Sequence, residues 1–589
     1  MKGLFKKAGA VAMAAALMAG TVGTLTSCKE EDPDTFTIWI GSIVNSSIYD
    51  NYGKNPVMQY LENKFDIKLE FMQPPAPGKE AEDFNKLTGS GEYPDMMDLS
   101  YYTGVVADLY DEGYGPALDL TDYIADYMPN YSKFLSDNAE LTKYAKIDGK
   151  YITINNYNAG IPNQWGGFMY RRDWLVKYDG NPDQPDGDGN YKDGVKFPDG
   201  YLDEDGYDNP LTIADWEYMF SVFEKAEGYK YAITLPNIGY HETGEIVSAF
   251  GVGGLWNLYE GEEEGVYDVA KFGATTDEFR KYTETMNKWY EEGWLDPNFT
   301  SNSGDLFYAL DSDSFMNGTV GMFYGTAGQV GDLILSGQEA TGALEGIDLW
   351  GARQPKETAD SPDPTVFYLD GQETSRRWIV TQAIEGKNVE KFFNMLDWLY
   401  SEEGSIVKFY GLSTEQWNEY DIDRSLVSKF GLEDGCYWWV DPATGEEVAA
   451  GTEGAVIRQN LKILNGTGDI PPATNGQYFF GLGFDEYAGL TYLQNSERKA
   501  HAYREWSAYT NYGAVQSSLL SQMTSDEGGE YNTTQTKIRD QIGKQLPNLI
   551  KGGVTDANWN SFLGQLRTRK CDENTEILQA VIDRVSGKN

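Results

Sequence analysis

Apolar and polar residues alternate along "TFTIWIGS" (35–42), and the segment is rich in β-formers, which predicts a first strand. The spacing then changes to that of an amphipathic helix over "NPVMQYLENKF" (55–65), returns to a strand at "IKLEFMQ" (67–73), and gives a third strand at "YPDMMDLS" (93–100). Strand, helix and strand at this spacing predict an open α/β sheet with parallel strands. Further on, "PLTIADWEYMFSVFEKA" (210–226) reads as a helix capped by Thr212, with Trp216, Met219, Phe220 and Phe223 on one face. "TTDEFRKYTETMNKWYEEGWL" (275–295) is another, ending at Gly293. "DSFMNGTVGMFYGTAGQVGDLI" (313–334) reads as a helix end, a short strand and a new helix start. "NVEKFFNMLDWLYSEEG" (388–404) places Val389, Phe392, Phe393, Leu396 and Leu399 on one stripe, and "TDANWNSFLGQLRTR" (555–569) stacks Trp559, Phe562, Leu563 and Leu566. Trp216, Trp289, Trp398 and Trp559 all lie on such stripes and are assigned to packing.

The first forty residues follow a different pattern. Lys2, Lys6 and Lys7 precede an apolar run, Val11 to Val22, which is too short and too rich in small residues to span a bilayer. The residues after it, Leu25-Thr26-Ser27-Cys28, resemble the bacterial lipobox, in which the cysteine becomes an acylated N-terminus. "KEEDPDT" (29–35) then reads as a short solvated tether. The resemblance makes 1–27 a lipoprotein signal peptide, 28–35 a tether and Cys28 the lipid anchor, and puts the protein on the outer face of the cytoplasmic membrane.

Charge narrows the classes. Loss of the leader removes three lysines and leaves 44 basic against 92 acidic side chains, a net charge of −48. Such a surface argues against nucleic acid and against anionic headgroups, both of which demand Lys and Arg. A mature chain of about 560 residues exceeds one core and implies at least two lobes. The 41 Tyr, 26 Phe and 15 Trp of the full 589-residue sequence exceed what a core needs and suit a binding groove. Cys436 and Cys571 either pair or are buried thiols, and no cysteine spacing is of metal type. HExxH, GxSxG, GxxxxGK[ST] and GxGxxG are all missing, with only His241 and His501 in the chain. These absences argue against an enzyme. Paired carboxylates for glycoside hydrolysis are the one catalytic arrangement that 92 acids leave open.

The order of several short segments is the most specific signal. "GEYPDMMDL", "ALDLTDYI", "DGKYITI", "YRRDWL", "FMNGTVGMF", "MLDWLYSEEG" and "NLIKGGVTDANWNSFLGQL" together resemble the extracellular solute-binding lipoproteins of ABC-type carbohydrate importers, in particular the large branch related to LipO. The resemblance runs from Cys28 to the C-terminus. It is interrupted by an Asp/Gly-rich insertion at 179–208 and by a stretch from 405 to 500. It implies a two-lobed, periplasmic-binding-protein-like α/β fold, each lobe an open sheet, joined by a multi-crossing hinge. By that analogy lobe 1 is 36–157 plus 347–407 and lobe 2 is 158–346 plus 408–589. Loops 155–165 and 344–355 carry turn residues that suit a hinge. The implied partners are an oligosaccharide, the permease subunits of an importer and, through the lipid, the membrane. The implied state is a monomer.

Ligands of open α/β sheets lie outside the carboxyl ends of strands. This points to Ser42 and Asn45 after the first strand and to Ser100 and Tyr101 after the third. It adds Asn155, Asn158 and Trp165 in the first hinge, Trp256 after a Gly-rich turn, Tyr324 and Thr326 after a short strand, and Arg377 and Trp378 before the strand "IVTQA". Sugar rings stack on Trp and Tyr, and their hydroxyls bond Asn, Asp, Arg and Tyr. A receptor of the same fold for a peptide or other non-sugar solute, and a surface polysaccharide hydrolase, are the alternative functions. The insertion "YDGNPDQPDGDGNYKDGVKFPDGYLDEDGYDNP" (178–210) concentrates carboxylates among glycines, as calcium loops do. Relatives of this branch carry a D-x-N-x-N-x-K-x-D-E loop, whose first four positions Asp186, Asp188, Asn190 and Lys192 (through its carbonyl) match. Gly194 and Val195 stand where the acidic pair belongs, so Asp193, or Asp203 and Asp205, would have to substitute.

Overall fold

The computed structural model describes residues 32–41, 51–102, 104–110, 115–138, 142, 145–157, 166–179, 191–235, 246–252, 256–261, 267–301, 318–326, 346–364, 373–428, 430–432, 434–460, 483–484, 493, 497–509, 519–520 and 522–587. The chain forms two open α/β sheets with separate cores. In the first, β1 (Thr35–Trp39), β2 (Lys68–Met72) and β3 (Met96–Asp98) run parallel, as their pattern predicts. The helix between β1 and β2, α1 (Pro56–Phe65), starts where the Asn55 side chain accepts from Val57 N–H, with Pro56 as its first residue. A second helix, α2 (Glu80–Ser90), leads to β3, and α3 (Thr121–Tyr127) and α4 (Pro129–Asp137) follow. β4 (Ile154–Tyr157) ends this part of the sheet.

The second sheet opens with β5 (Gly166–Arg171) and α5 (Arg172–Tyr178). A hairpin, β6 (Tyr201–Leu202) and β7 (Asp208–Asn209), precedes α6 (Ile213–Phe223), whose cap is reciprocal: Thr212 Oγ1 accepts from Asp215 N–H, and Asp215 accepts from Thr212 N–H. Then come β8 (Tyr231–Ile233), the hairpin β9 (Trp256–Glu260) and β10 (Tyr267–Phe272), α7 (Asp277–Glu291), β11 (Val320–Thr326) and β12 (Leu349–Ala352). The chain returns to the first sheet as β13 (Glu373–Val380). It continues through α8 (Val389–Trp398), α9 (Glu402–Tyr410), α10 (Thr414–Glu419), α11 (Ser425–Ser428) and the small sheet of β14 (Tyr437–Val440), β15 (Glu447–Val448) and β16 (Val456–Gln459). Helices α12 (Glu497–Ser507), α13 (Ser525–Gly552), α14 (Asp556–Thr568) and α15 (Cys571–Val585) complete the chain.

Strand order is β2-β1-β3-β13-β4 in the first sheet and β12-β5-β11-β8 in the second. The first sheet is therefore mixed, not all parallel, because β13 arrives from the other lobe and lies antiparallel to both β3 and β4. One core packs Phe36, Ile38, Tyr60, Leu61, Trp378, Phe392 and Phe393 around the first sheet. The other packs Phe168, Trp216, Phe220, Trp289, Met322, Trp559 and Phe562 around the second, with α13 to α15 contributing Ile538, Leu546 and Leu578. Of the four tryptophans assigned to packing, Trp216, Trp289 and Trp559 are buried there, and Trp398 is partly buried against the first core.

Three expectations change, and one open alternative is decided. Leu349–Ala352, expected in a hinge beside lobe 1, is strand β12 and pairs with β5 of the second sheet. Residues Leu412, Trp417, Val427 and Cys436, expected in lobe 2, fill the first core. The predicted helix 388–404 is two helices, since Ser401 Oγ accepts from Gly404 N–H and starts a new one after Trp398. Cys436 and Cys571 are free thiols in different cores, and burial pushes both up to about 12.

Candidate functional site

The carboxyl ends of β1 and β3 lie side by side and form a polar and aromatic wall. Ile38 and Trp39 of β1 pair with Met96 and Met97 of β3, so Gly41 and Asp98 emerge together. The Tyr101 ring lies against Gly41: a Cβ built on Gly41 would stand 2.3 Å from its edge, so only glycine admits the ring here. Asp98 is 7% exposed. Burial raises its pKa, against hydrogen bonds from Ser100 N–H (2.9 Å) and Ser100 Oγ (2.6 Å), the Arg376 charge and the Gly41 N–H. Burial, with the nearby Tyr101 and Asp98, also holds the Tyr52 hydroxyl protonated. Tyr101 itself is 38% exposed, one of few large apolar faces left open on the described surface. Ser100 and Tyr101, predicted from their place after the third strand, thus meet Tyr52, Asp98 and Arg376, which the sequence reading did not single out. The signal for Asp98 was present, since it closes a strand two residues before Ser100.

Four other predicted residues are placed in the interior. Trp378 and Arg377 lie within β13, not before a strand; Trp378 is 2% exposed in the first core and offers no face to a ligand. Arg377 is 7% exposed, and its carbonyl accepts from Leu99 N–H (2.9 Å). Asn155 belongs to β4 and not to a hinge loop: it is 1% exposed, takes the Thr153 hydroxyl at 2.8 Å, and its carbonyl accepts from the Tyr400 hydroxyl at 2.5 Å. Tyr324, inside β11, is 6% exposed and meets Phe168 edge-on at 5.0 Å, so its ring packs the second core. Thr326 ends β11 opposite Gly166, and Trp256 starts β9 opposite Phe272; of these two only the backbone is described. Cys28, Ser42, Asn45, Asn158, Trp165, Asp186, Asp188 and Asn190 lie outside the described residues.

At the second sheet, Gly167 and Gly351 admit α12 directly onto the strands. A Cβ on Gly167 would stand 2.3 Å from the Trp506 indole, and one on Gly351 2.4 Å from Ala502 Cα. Trp506 Nε1–H donates to the Phe168 carbonyl at 2.9 Å. From α12 a charged network reaches the insertion. Glu505 takes Arg353 at 2.8 and 3.0 Å and the Tyr201 hydroxyl, and the Arg353 guanidinium lies 3.9 Å over the Tyr201 ring. His501 Nε2 lies 3.0 Å from Asn209 Oδ1, with Trp350 edge-on at 4.6 Å. Arg172, fully buried, takes both Asp193 oxygens at 2.8 and 3.0 Å.

This network bears on the proposed cation loop. Asp193 is committed to Arg172, and Asp203 accepts from Asp205 N–H, Tyr207 N–H and Asn209 Nδ2. Lys192 hydrogen-bonds through its N–H to the Gly206 carbonyl at 2.8 Å, with its ammonium 4.4 Å over the Tyr207 ring. Asp193 and Asp203, two of the substitutes for the missing acidic pair, therefore already serve protein donors. Among the described residues no group of three or more His, Cys, Asp and Glu could hold a metal ion.

The two-sheet arrangement, with chain crossings between β4 and β5 and between β12 and β13, is the fold of the extracellular solute-binding proteins of ABC sugar transporters. Three solved structures show the likeness. An HMO-binding, ABC-transporter-associated solute-binding protein from Bifidobacterium longum infantis matches with a TM-score of 0.62 at 14% identity, covering 94% of this chain and 99% of that one. The alginate-binding protein AlgQ2, without calcium ion, matches with 0.57 at 14%, covering 94% and 98%. The substrate-binding protein FusA of S. pneumoniae, in complex with kestose, matches with 0.56 at 15%, covering 94% and 99%. No protein-family model and no curated protein matches the sequence.

Proposed function

We propose that the chain is an extracytoplasmic solute-binding lipoprotein that captures an oligosaccharide between its lobes and delivers it to the permease of an ABC importer. The observation that supports this most is the likeness along 94% of the chain to structures whose names give an oligosaccharide or polysaccharide as ligand. The wall of Tyr52, Asp98, Ser100, Tyr101 and Arg376 fits the reading, because it offers an open ring, hydroxyls and charged partners at the carboxyl ends of parallel strands. Trp165 and Trp256 are the stacking candidates from the second lobe, with Ser42, Asn45, Asn158 and Thr326 as polar partners. The chain works as a monomer, without catalysis, held at the membrane by acyl groups on Cys28. Among the described residues no helix is long and apolar enough to cross a membrane. A structural calcium ion in the insertion, on Asp186, Asp188, Asn190 and the Lys192 carbonyl and away from the sugar, is the one cofactor of this reading.

Small-angle scattering on the protein without its leader tests the capture mechanism. Adding a bound oligosaccharide compacts the particle as the lobes close on it. Tight binding with no change in the radius of gyration contradicts capture between lobes.

A further inference from the structure

Besides the chain crossings, the two lobes meet where the first turn of α13 reaches the chain leaving β3. That chain passes Ser100 and Tyr101 of the wall and then forms the 3₁₀ turn Val106–Leu109. Val106 and Leu109 pack with Trp39, Phe84 and Met97 on the first sheet, so the turn belongs to the first lobe. The Val105 carbonyl accepts from the Tyr102 hydroxyl at 3.1 Å and from Asp108 N–H at 3.0 Å, which fixes Val105 and Asp108 relative to the wall.

The opposing face is built as firmly into the second lobe. Tyr531, Ile538 and Leu546 bury α13 in the second core. Its start is a reciprocal cap, with Glu527 accepting from Thr524 N–H at 2.8 Å and Thr524 Oγ1 accepting from Glu527 N–H at 3.3 Å. Arg584, near the end of α15, donates to both Glu527 oxygens at 2.9 and 2.8 Å and to the Gln522 carbonyl at 3.0 Å. The first turn of α13 therefore moves with the second lobe as one piece.

Three contacts join the faces. Val105, 8% exposed, sets its Cγ2 methyl against Gly528, where a Cβ would overlap it. Glycine weakens a helix interior, so its use in α13 is explained by this close approach. Beside it, Ser525 Oγ donates to the Asp108 carboxylate. The bond to Glu527 raises the Arg584 pKa, and the charge of Asp148, in the first-lobe turn Ile147–Lys150, raises it further, so this carboxylate lies within electrostatic reach. One methyl in a glycine notch and two polar pairs at exposed side chains make a weak interface, of the kind that opens and closes. It lies beyond the carboxyl end of β3, on the edge that carries the wall, so lobes that part along this edge must break it.

We infer that this contact is an interlobe latch: it forms as the lobes close, breaks as they part, and by its strength sets how far the ligand-free protein stays open. The inference stands on the two-lobed fold and not on the identity of the ligand. Small-angle scattering on ligand-free protein without its leader tests it, so its failure and that of the oligosaccharide reading are separate results. Gly528→Leu fills the notch with a better helix former and holds the lobes apart, and the radius of gyration rises above that of the native protein. Asp108→Cys with Ser525→Cys places two thiols where the present side chains touch. Oxidised with glutathione disulfide, the pair cross-links and the radius of gyration falls below that of the same protein reduced. A folded Gly528→Leu protein with the native radius overturns the inference. If urea unfolding shows that this variant has not folded, the cysteine pair decides alone: equal radii in the oxidised and reduced forms, or thiols that never cross-link, overturn it.

Discussion

His501 gives the stability of the second lobe a pH dependence that can be measured. It is 5% exposed, and burial lowers its pKa to about 4 from the usual 6.5. Asp203 and Glu505 act to raise it, while Arg172 and Arg504 act with burial to lower it. Between about pH 6.5 and 4 the unfolded chain therefore binds a proton at this site that the folded chain refuses. Folding stability from this group is complete above the unfolded value and is lost as pH falls through the window. At 1.36 kcal/mol per pH unit the full loss is about 3 kcal/mol, with about 2 kcal/mol gone by about pH 5. His501→Gln keeps a neutral donor for Asn209 Oδ1 and removes the titration. Urea unfolding of both proteins at about pH 7.5 and about pH 5 isolates the effect, because the many carboxylates titrate alike in each. The native protein loses about 2 kcal/mol more than the variant on acidification. Parallel losses in the two proteins refute the argument that His501 is held neutral by burial.

Other outcomes follow from the same structure. Trp506→Ala removes an indole packed on Gly167 and the bond to the Phe168 carbonyl, and destabilises by about 3–5 kcal/mol in denaturant unfolding. Gly41→Ala forces the exposed Tyr101 ring aside; it weakens oligosaccharide affinity in calorimetry by more than tenfold while the melting temperature stays within a few degrees. Cys28→Ser releases the protein from the membrane fraction of cells, and a variant that stays bound disproves lipid anchoring. Calcium added to chelator-treated protein gives a heat of binding if the insertion holds the ion, and its absence at millimolar calcium removes that site.

Much of the fold was readable because periodicity reports burial. The helices 55–65, 210–226, 275–295 and 555–569 each carry a clear stripe or cap, and the structure has helices in all four segments. What periodicity does not report is which sheet a strand joins. "LWGA" at 349–352 is apolar throughout, like a buried strand in either lobe, and only its pairing with Phe168 to Arg171 places it in the second. The site was half readable for a related reason. Ser100 and Tyr101 were found from their position after a strand, but the same rule failed for Arg377 and Trp378, because the strand begins four residues before Arg377. Tyr52 reaches Asp98 only through the fold, from a separate element, so no local pattern announces it.

The central claim is that a sugar chain, and not a peptide, is the ligand. A thermal-shift screen of the leaderless protein against oligosaccharides and peptides of similar length tests it most directly. A cognate oligosaccharide at about 100 times its dissociation constant stabilises the folded state by about 2.7 kcal/mol, a clear rise in melting temperature. That rise with an oligosaccharide, with peptides inert, is the predicted result; a rise with peptides and none with any oligosaccharide contradicts it.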